Sequence, residues 1–253
     1  MPRLVPIRLA AACALALALV LSSTALAFAK GPVADLRVIG SGGKVLAEKS
    51  FGVGGEVSVK TSPKATCFGP GTGGSGKSVT VKGATALGML VQGAKFIAAL
   101  KPLALTDSFI DEFGLGLCGI GGIEGKGMNS WYLKVNHKSP SVGGEAVEVG
   151  KGDDVLWAYG SYPYPDELVL SAPDRVRAGV PFGVRVFAYD EKGKKTPASG
   201  ATVSGASGPT DSQGRATVTL AAPARLVARH GKDTPSNHEA VCVGGKCPGS
   251  SGK

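Results

Sequence analysis

The sequence predicts two β-rich units, an α+β domain followed by an all-β sandwich, behind a short apolar leader. Three observations carry this reading. Glycine (39 residues) and proline (16) make up about a fifth of the 253 residues, and helix interiors exclude both. Hydrophobic residues still reach 43%, too many for a wholly disordered chain. After the leader only one stretch has helical spacing, while short alternating runs recur throughout.

The leader comes first. Arg3 and Arg8 precede the unbroken apolar run 9–21. Ser22-Ser23-Thr24 breaks that run, and Ala25-Leu26-Ala27 and Ala27-Phe28-Ala29 are small-x-small cleavage sites, so residues 1–27 read as an export signal. A membrane anchor needs about 20 apolar residues, and Cys13 lies inside the run rather than after it. The expected mature protein is secreted, extracellular or associated with the cell envelope, with no membrane span once the signal is cleaved.

Cleavage removes two arginines and no acid, which lowers the net charge from +9 to +7. The excess is scattered, with Lys192, Lys194 and Lys195 its densest cluster. Nucleic-acid binding requires a continuous basic face with interleaved aromatics, so none is expected. Four cysteines remain: Cys67, Cys118, Cys242 and Cys247. An even count in an exported chain reads as two disulfides. Of three pairings, Cys67–Cys118 with Cys242–Cys247 keeps each bond within one apparent domain. A four-thiolate zinc site would need Cys-x-x-Cys spacing, and three scattered histidines point away from a histidine-built metal centre.

Within the first unit, 33–39, 44–46, 56–59 and 79–81 are short strand candidates between glycine turns. Leu87, Leu90, Val91, Ala94 and Ala98 fall at helical offsets, which predicts a helix over about 84–100 that Pro102 stops. Three strands follow at 131–135, 147–149 and 155–159. Trp131, Leu133 and Val135 share one face while Tyr132 and Lys134 take the other. Residues 161–166 read as a linker holding two prolines. Beyond it, short strands at 167–171, 182–189, 201–204, 216–220, 226–229 and 239–243 predict a small sandwich. The tail 248–253 is expected to be disordered.

Gly71-Thr72-Gly73-Gly74-Ser75-Gly76-Lys77-Ser78 fits the phosphate-loop pattern G-x-x-x-x-G-K-[ST]. That loop works only between a buried strand and a helix N-terminus. Here Cys67 and Pro70 precede it and the β-branched run Val79-Thr80-Val81 follows, so no nucleotide is expected. Asp153-Asp154 sits at a turn, where acids bond nearby amides. Asp107, Asp111 and Glu112 lie in a loop-like segment, His137 lies in a hairpin turn, and His230 and His238 lie near loops. None has the context of a nucleophile elbow, so no enzymatic activity is expected. Trp131, Tyr132, Trp157, Tyr159, Tyr162 and Tyr164 crowd into about 35 residues. Both tryptophans suit a core, and the alternative is a ring-lined ligand face.

Trp131-Tyr132, Val135-Asn136, Gly152-Asp153 and Trp157-Ala158-Tyr159, with the upstream helix and the paired-cysteine span, resemble the transcobalamin-like C-terminal domain family over residues 33–160. The resemblance implies a β-grasp-like α+β fold with one main helix. In the cobalamin carriers this domain closes over one face of a corrin held by an α-helical barrel, which this sequence lacks. Gly200-Ala201-Thr202-Val203 and the run from Thr210 to Ala216 resemble bacterial immunoglobulin-like and carboxypeptidase-regulatory-like modules over 167–243, which implies an all-β immunoglobulin-like sandwich with a spacer or display role. The function expected is that of an exported, non-enzymatic binding or interaction protein with an extracellular or surface partner and no cofactor. Its alternative is a carrier of a flat, corrinoid-like small molecule, with Trp131, Tyr132 and Tyr159 as ligand-contacting candidates.

Overall fold

A computed structural model describes residues 31–249. The signal expected at 1–27 and residues 250–253 of the expected tail lie outside the described residues.

The first half runs β1 (Val33–Gly40), β2 (Lys44–Gly52), β3 (Glu56–Lys60), β4 (Ser78–Lys82), α1 (Ala86–Phe96), β5 (Leu103–Thr106), β6 (Gly116–Ile120), β7 (Ile123–Glu124), β8 (Asn129–Val135) and β9 (Asp154–Ser161). The second half runs β10 (Glu167–Ser171), β11 (Arg175–Val176), β12 (Phe182–Tyr189), β13 (Lys195–Pro197), β14 (Thr202–Val203), β15 (Arg215–Val218), β16 (Ala224–Leu226), β17 (Ala228–Arg229) and β18 (Glu239–Val243). Strand dominates, with one α-helix among the described residues.

The main sheet of the first half has the order β2-β1-β9-β8. Its central pair, β1 and β9, is parallel, and both flanking pairs are antiparallel. Alternation along the strands sorts the side chains. Leu36, Val38, Leu133, Val155 and Trp157 join the helix residues Leu87, Leu90 and Val91 in one core. Ile39, Tyr132, Leu156 and Ala158 form a second cluster, on the opposite face by register. The second half covers that opposite face, so this sheet is buried on both sides.

Helix α1 starts where Thr85 Oγ1 accepts from Gly88 N at 3.1 Å, an N-cap that satisfies a free amide. It ends at Phe96, well before Pro102. The chain leaves the helix at Ile97 and makes a 3-10 turn, Ala98–Leu100, that drops Leu100 into the core. Packing, not proline, sets this end. Residues 147–149 are not a strand. Val147 O accepts from Ala86 N at 2.9 Å, and Val149 N donates to Ala84 O at 3.0 Å, so the segment serves the start of the helix.

Strands β5 to β7 were not legible in the sequence. Gly116 and Gly119 interrupt β6, and the sheet is held instead by the buried Leu105 and Ile120 and by the Cys67–Cys118 disulfide. Both expected disulfides are present, Cys242–Cys247 closing the turn after β18. The expected linker starts one residue late, because Ser161 still belongs to β9.

In the second half β10, β12 and β18 begin and end where the alternation predicts. Several small sheets surround a single core that includes Leu168, Val186, Val218 and Val241, an arrangement compatible with a β-sandwich. The turn before β15 is built as the sequence implies. Asp211 Oδ1 accepts from Gln213 N and Arg215 N. Gly214 has φ 72°, and a Cβ there would lie 2.2 Å from Val186 O.

Candidate functional site

The glycine-rich segment 71–78 is not a phosphate cradle. Ser78 opens strand β4 instead of a helix, and the amides are already used. Ser75 N and Oγ donate to the two carboxylate oxygens of Asp107 at 2.6 Å each. Gly74 N donates to Ser62 O, and Gly76 N to Thr61 Oγ1. The carboxylate of Asp107 occupies the place of an anion, and the Ser75 hydrogen bonds hold it below the usual carboxylate range.

The polar groups concentrate where the two halves meet. Arg37 Nη2 donates to Glu167 Oε1, and Arg37 Nη1 donates to Pro235 O at 3.2 Å. Both side chains are almost wholly buried. His137 Nδ1 lies 3.1 Å from the same Glu167 oxygen, and its ring stacks on Tyr189. Asn136 and His137 both have positive φ, so the tight turn between β8 and Lys138 delivers the imidazole to this spot. Lys134, fully buried, donates to the Tyr189 and Asp190 carbonyls at 2.7 and 3.1 Å. Tyr132 Oη bonds Thr234 Oγ1, and burial pushes its pKa up to about 12. His238 pairs with Glu48, and His230 pairs with Asp233.

His137, Asp154 and Glu167 bring three donor atoms within 4.8 Å of one another. Arg37 already supplies the positive charge to Glu167, so the group is an ion-pair network joining the halves. Its sequence signal was faint. A charged residue at an inward position of a strand, as with Arg37 and Lys134, is the one mark it leaves.

A separate cleft of about 900 Å³ lies beside β8. Trp131 and Trp157 form part of its floor, each under a tenth exposed. Their indole nitrogens are spent internally, on Ile123 O at 2.8 Å and Ala86 O at 3.3 Å, so only ring surface is offered. Tyr132 and Tyr164, stacked with centroids 4.4 Å apart, form another wall. Phe68, Phe109, Phe113 and Tyr162 also line the cleft. Of these, Phe68, Phe113 and Tyr162 are more than half exposed, which leaves an exposed apolar rim over a buried floor.

Of the three ligand-contacting candidates, Trp131 and Tyr132 line the cleft and Tyr159 does not. The Tyr159 ring abuts Trp131 edge to face at 5.5 Å, and its hydroxyl donates to Glu124 O, so it supports the floor. The three phenylalanines were missed in the sequence. Their signal was there: large apolar side chains among Gly, Ser, Asp and Glu in segments without strand alternation. Three carboxylates, Glu112, Glu145 and Glu191, complete the lining, with no Lys, Arg or His among the described lining residues. No protein-family model, curated protein or solved structure matches this chain.

Proposed function

We propose that this protein is an exported, non-enzymatic binding protein whose β8 cleft takes an apolar partner. The single observation that carries the reading is a 900 Å³ cleft lined by eight of the chain's aromatic rings, in a sequence only 6% aromatic. Rings fixed on a sheet offer contact area at low entropic cost, and the volume falls in the usual range for ligand sites. Two disulfides support an oxidising location. None of the three histidines lines the cleft, and each is paired with a carboxylate, which favours binding over acid–base chemistry there. The central parallel pair flanked by antiparallel strands over one helix supports the β-grasp-like assignment for 33–160, and the second half then acts as an immunoglobulin-like support for the opposite face.

Titration with Nile red, an uncharged apolar dye, followed by dye and tryptophan fluorescence, tests the cleft. Saturable binding that weakens about tenfold in a Phe113→Ala, Tyr162→Ala double variant is expected, since both rings are exposed and cost little stability to remove. No saturable signal would overturn the reading. A second reading, a flat corrinoid-like ligand, is favoured by ring walls on two sides of the cleft. Cobalamin titration tests it, and an unchanged tryptophan signal at micromolar ligand disposes of it.

A further inference from the structure

Strand β8 ends its sheet, so one of its edges has no strand partner. Which backbone groups face that edge follows from the register. Asn136 N donates to Asp154 O at 2.8 Å, and the β8–β9 pairing places Lys134 opposite Leu156 and Tyr132 opposite Ala158. In an antiparallel ladder, bonded and unbonded pairs alternate, so the even-numbered residues bond β9. The N–H and C=O groups of the odd-numbered residues point outward.

Two of these outward residues are occupied by the chain itself. Val135 exchanges both bonds with Lys138, and Asn129 exchanges both with Lys126. Between them, the outward groups of Trp131 and Leu133 have no backbone partner among the described residues. Trp131, Tyr132 and Leu133 all line the cleft although successive side chains point to opposite faces. A cavity touched by both faces lies along the strand's edge. The slot between the two self-paired ends spans five residues, about 17 Å of extended chain.

We infer that the occupant of the cleft is an extended peptide segment that adds a strand to the Trp131–Leu133 edge. This rests on the binding function proposed above. Four unpaired backbone groups in a row are what an extended peptide satisfies and a compact small molecule does not. The walls define its side chains. Alternate residues would point to Leu87 and Trp157 on the helix side, and the residues between them to Tyr132 and Glu191. Three carboxylates and no basic group line the cleft, although the chain carries a net +9. The peptide that fits alternates apolar residues with lysine or arginine.

A phage-displayed library of random nonapeptides, selected on the full oxidised chain, tests this. Enriched sequences are expected to alternate apolar and basic residues. With a synthetic copy of the most enriched peptide, amide exchange at Trp131 and Leu133 should slow about tenfold or more. N-methylation of a peptide amide that faces β8 should weaken binding about tenfold, while methylation of the neighbouring amide should not. Failure to enrich any sequence, or enriched peptides that leave both amides unprotected, overturns the inference. If the uncharged dye saturates the cleft while the peptide arm fails, the peptide inference falls alone. If the dye also fails, the binding function falls with it.

Discussion

Arg37 on β1 and Glu167 on β10 form an ion pair that is almost fully buried between the two halves of the chain. Each charge is removed from water, and each is tolerated only because the other is present. One atom of each side chain, Arg37 Nε and Glu167 Oε2, still has no hydrogen-bond partner among the described residues. Removing either partner alone therefore costs more than the intact pair contributes.

Breaking the pair from one side should be costly. Glu167→Ala leaves the Arg37 guanidinium buried and unpaired, at about 3–5 kcal/mol. Replacing both, Arg37→Met with Glu167→Leu, should cost clearly less than the two single changes summed. A double-mutant cycle by urea unfolding measures the difference, and additive costs would refute the coupling.

Acid should loosen the same junction. Burial alone would raise Glu167, but the His137 hydrogen bond and the Arg37 charge more than offset it and hold the carboxyl below the ordinary value of 4.5. Glu48 is held low in the same way, burial being outweighed by His238. A carboxylate with a depressed folded pKa contributes stability above its unfolded pKa and loses it as pH falls through the folded one. Melting temperature should therefore drop steeply below pH 4.5, and Glu48→Gln should flatten that acid limb.

Asp154 has the opposite sign. Burial raises its pKa, so the folded state resists the charged form, and stability is lost as pH rises from the unfolded value through the folded one. Asp154→Asn should raise the melting temperature at pH 7. The gain should shrink as pH approaches the ordinary aspartate value of 3.8.

A helix glycine gives a prediction against propensity. Gly→Ala inside a helix ordinarily stabilises by about 1 kcal/mol. At Gly88, a Cβ would lie 1.9 Å from the Lys82 carbonyl oxygen. Gly88→Ala should instead destabilise, by roughly 1–3 kcal/mol of overpacking, as thermal melts would report. Leaving the protein more stable would show that the β4–α1 approach relaxes freely.

Much of this architecture could be read from alternation. Val184, Val186 and Ala188 against Arg185 and Phe187 defined β12, and Trp131, Leu133 and Val135 defined the core face of β8, because a strand with one apolar face has only one workable register. The glycine-broken β6 carried no such signal: Gly116 and Gly119 leave it too few apolar side chains to alternate, although it pairs with its near neighbours β5 and β7. Trp131 and Tyr132 stood out because rings were scarce, and both line the cleft. Tyr159 carried the same signal and turned out to be a prop, since composition cannot tell which side of an indole a neighbouring ring will take. The free edge of β8 was invisible in the sequence, because it depends on which neighbour a strand lacks.

The parallel pairing of β1 with β9 sets a schedule for assembly. Val155 aligns with Leu36, so the strand at the centre of the sheet must wait for a partner made more than a hundred residues later. At ribosomal speed that interval is on the order of ten seconds, and such distant pairings fold slowly. Throughout it, Leu36 and Val38 would be naked apolar surface on a nascent segment.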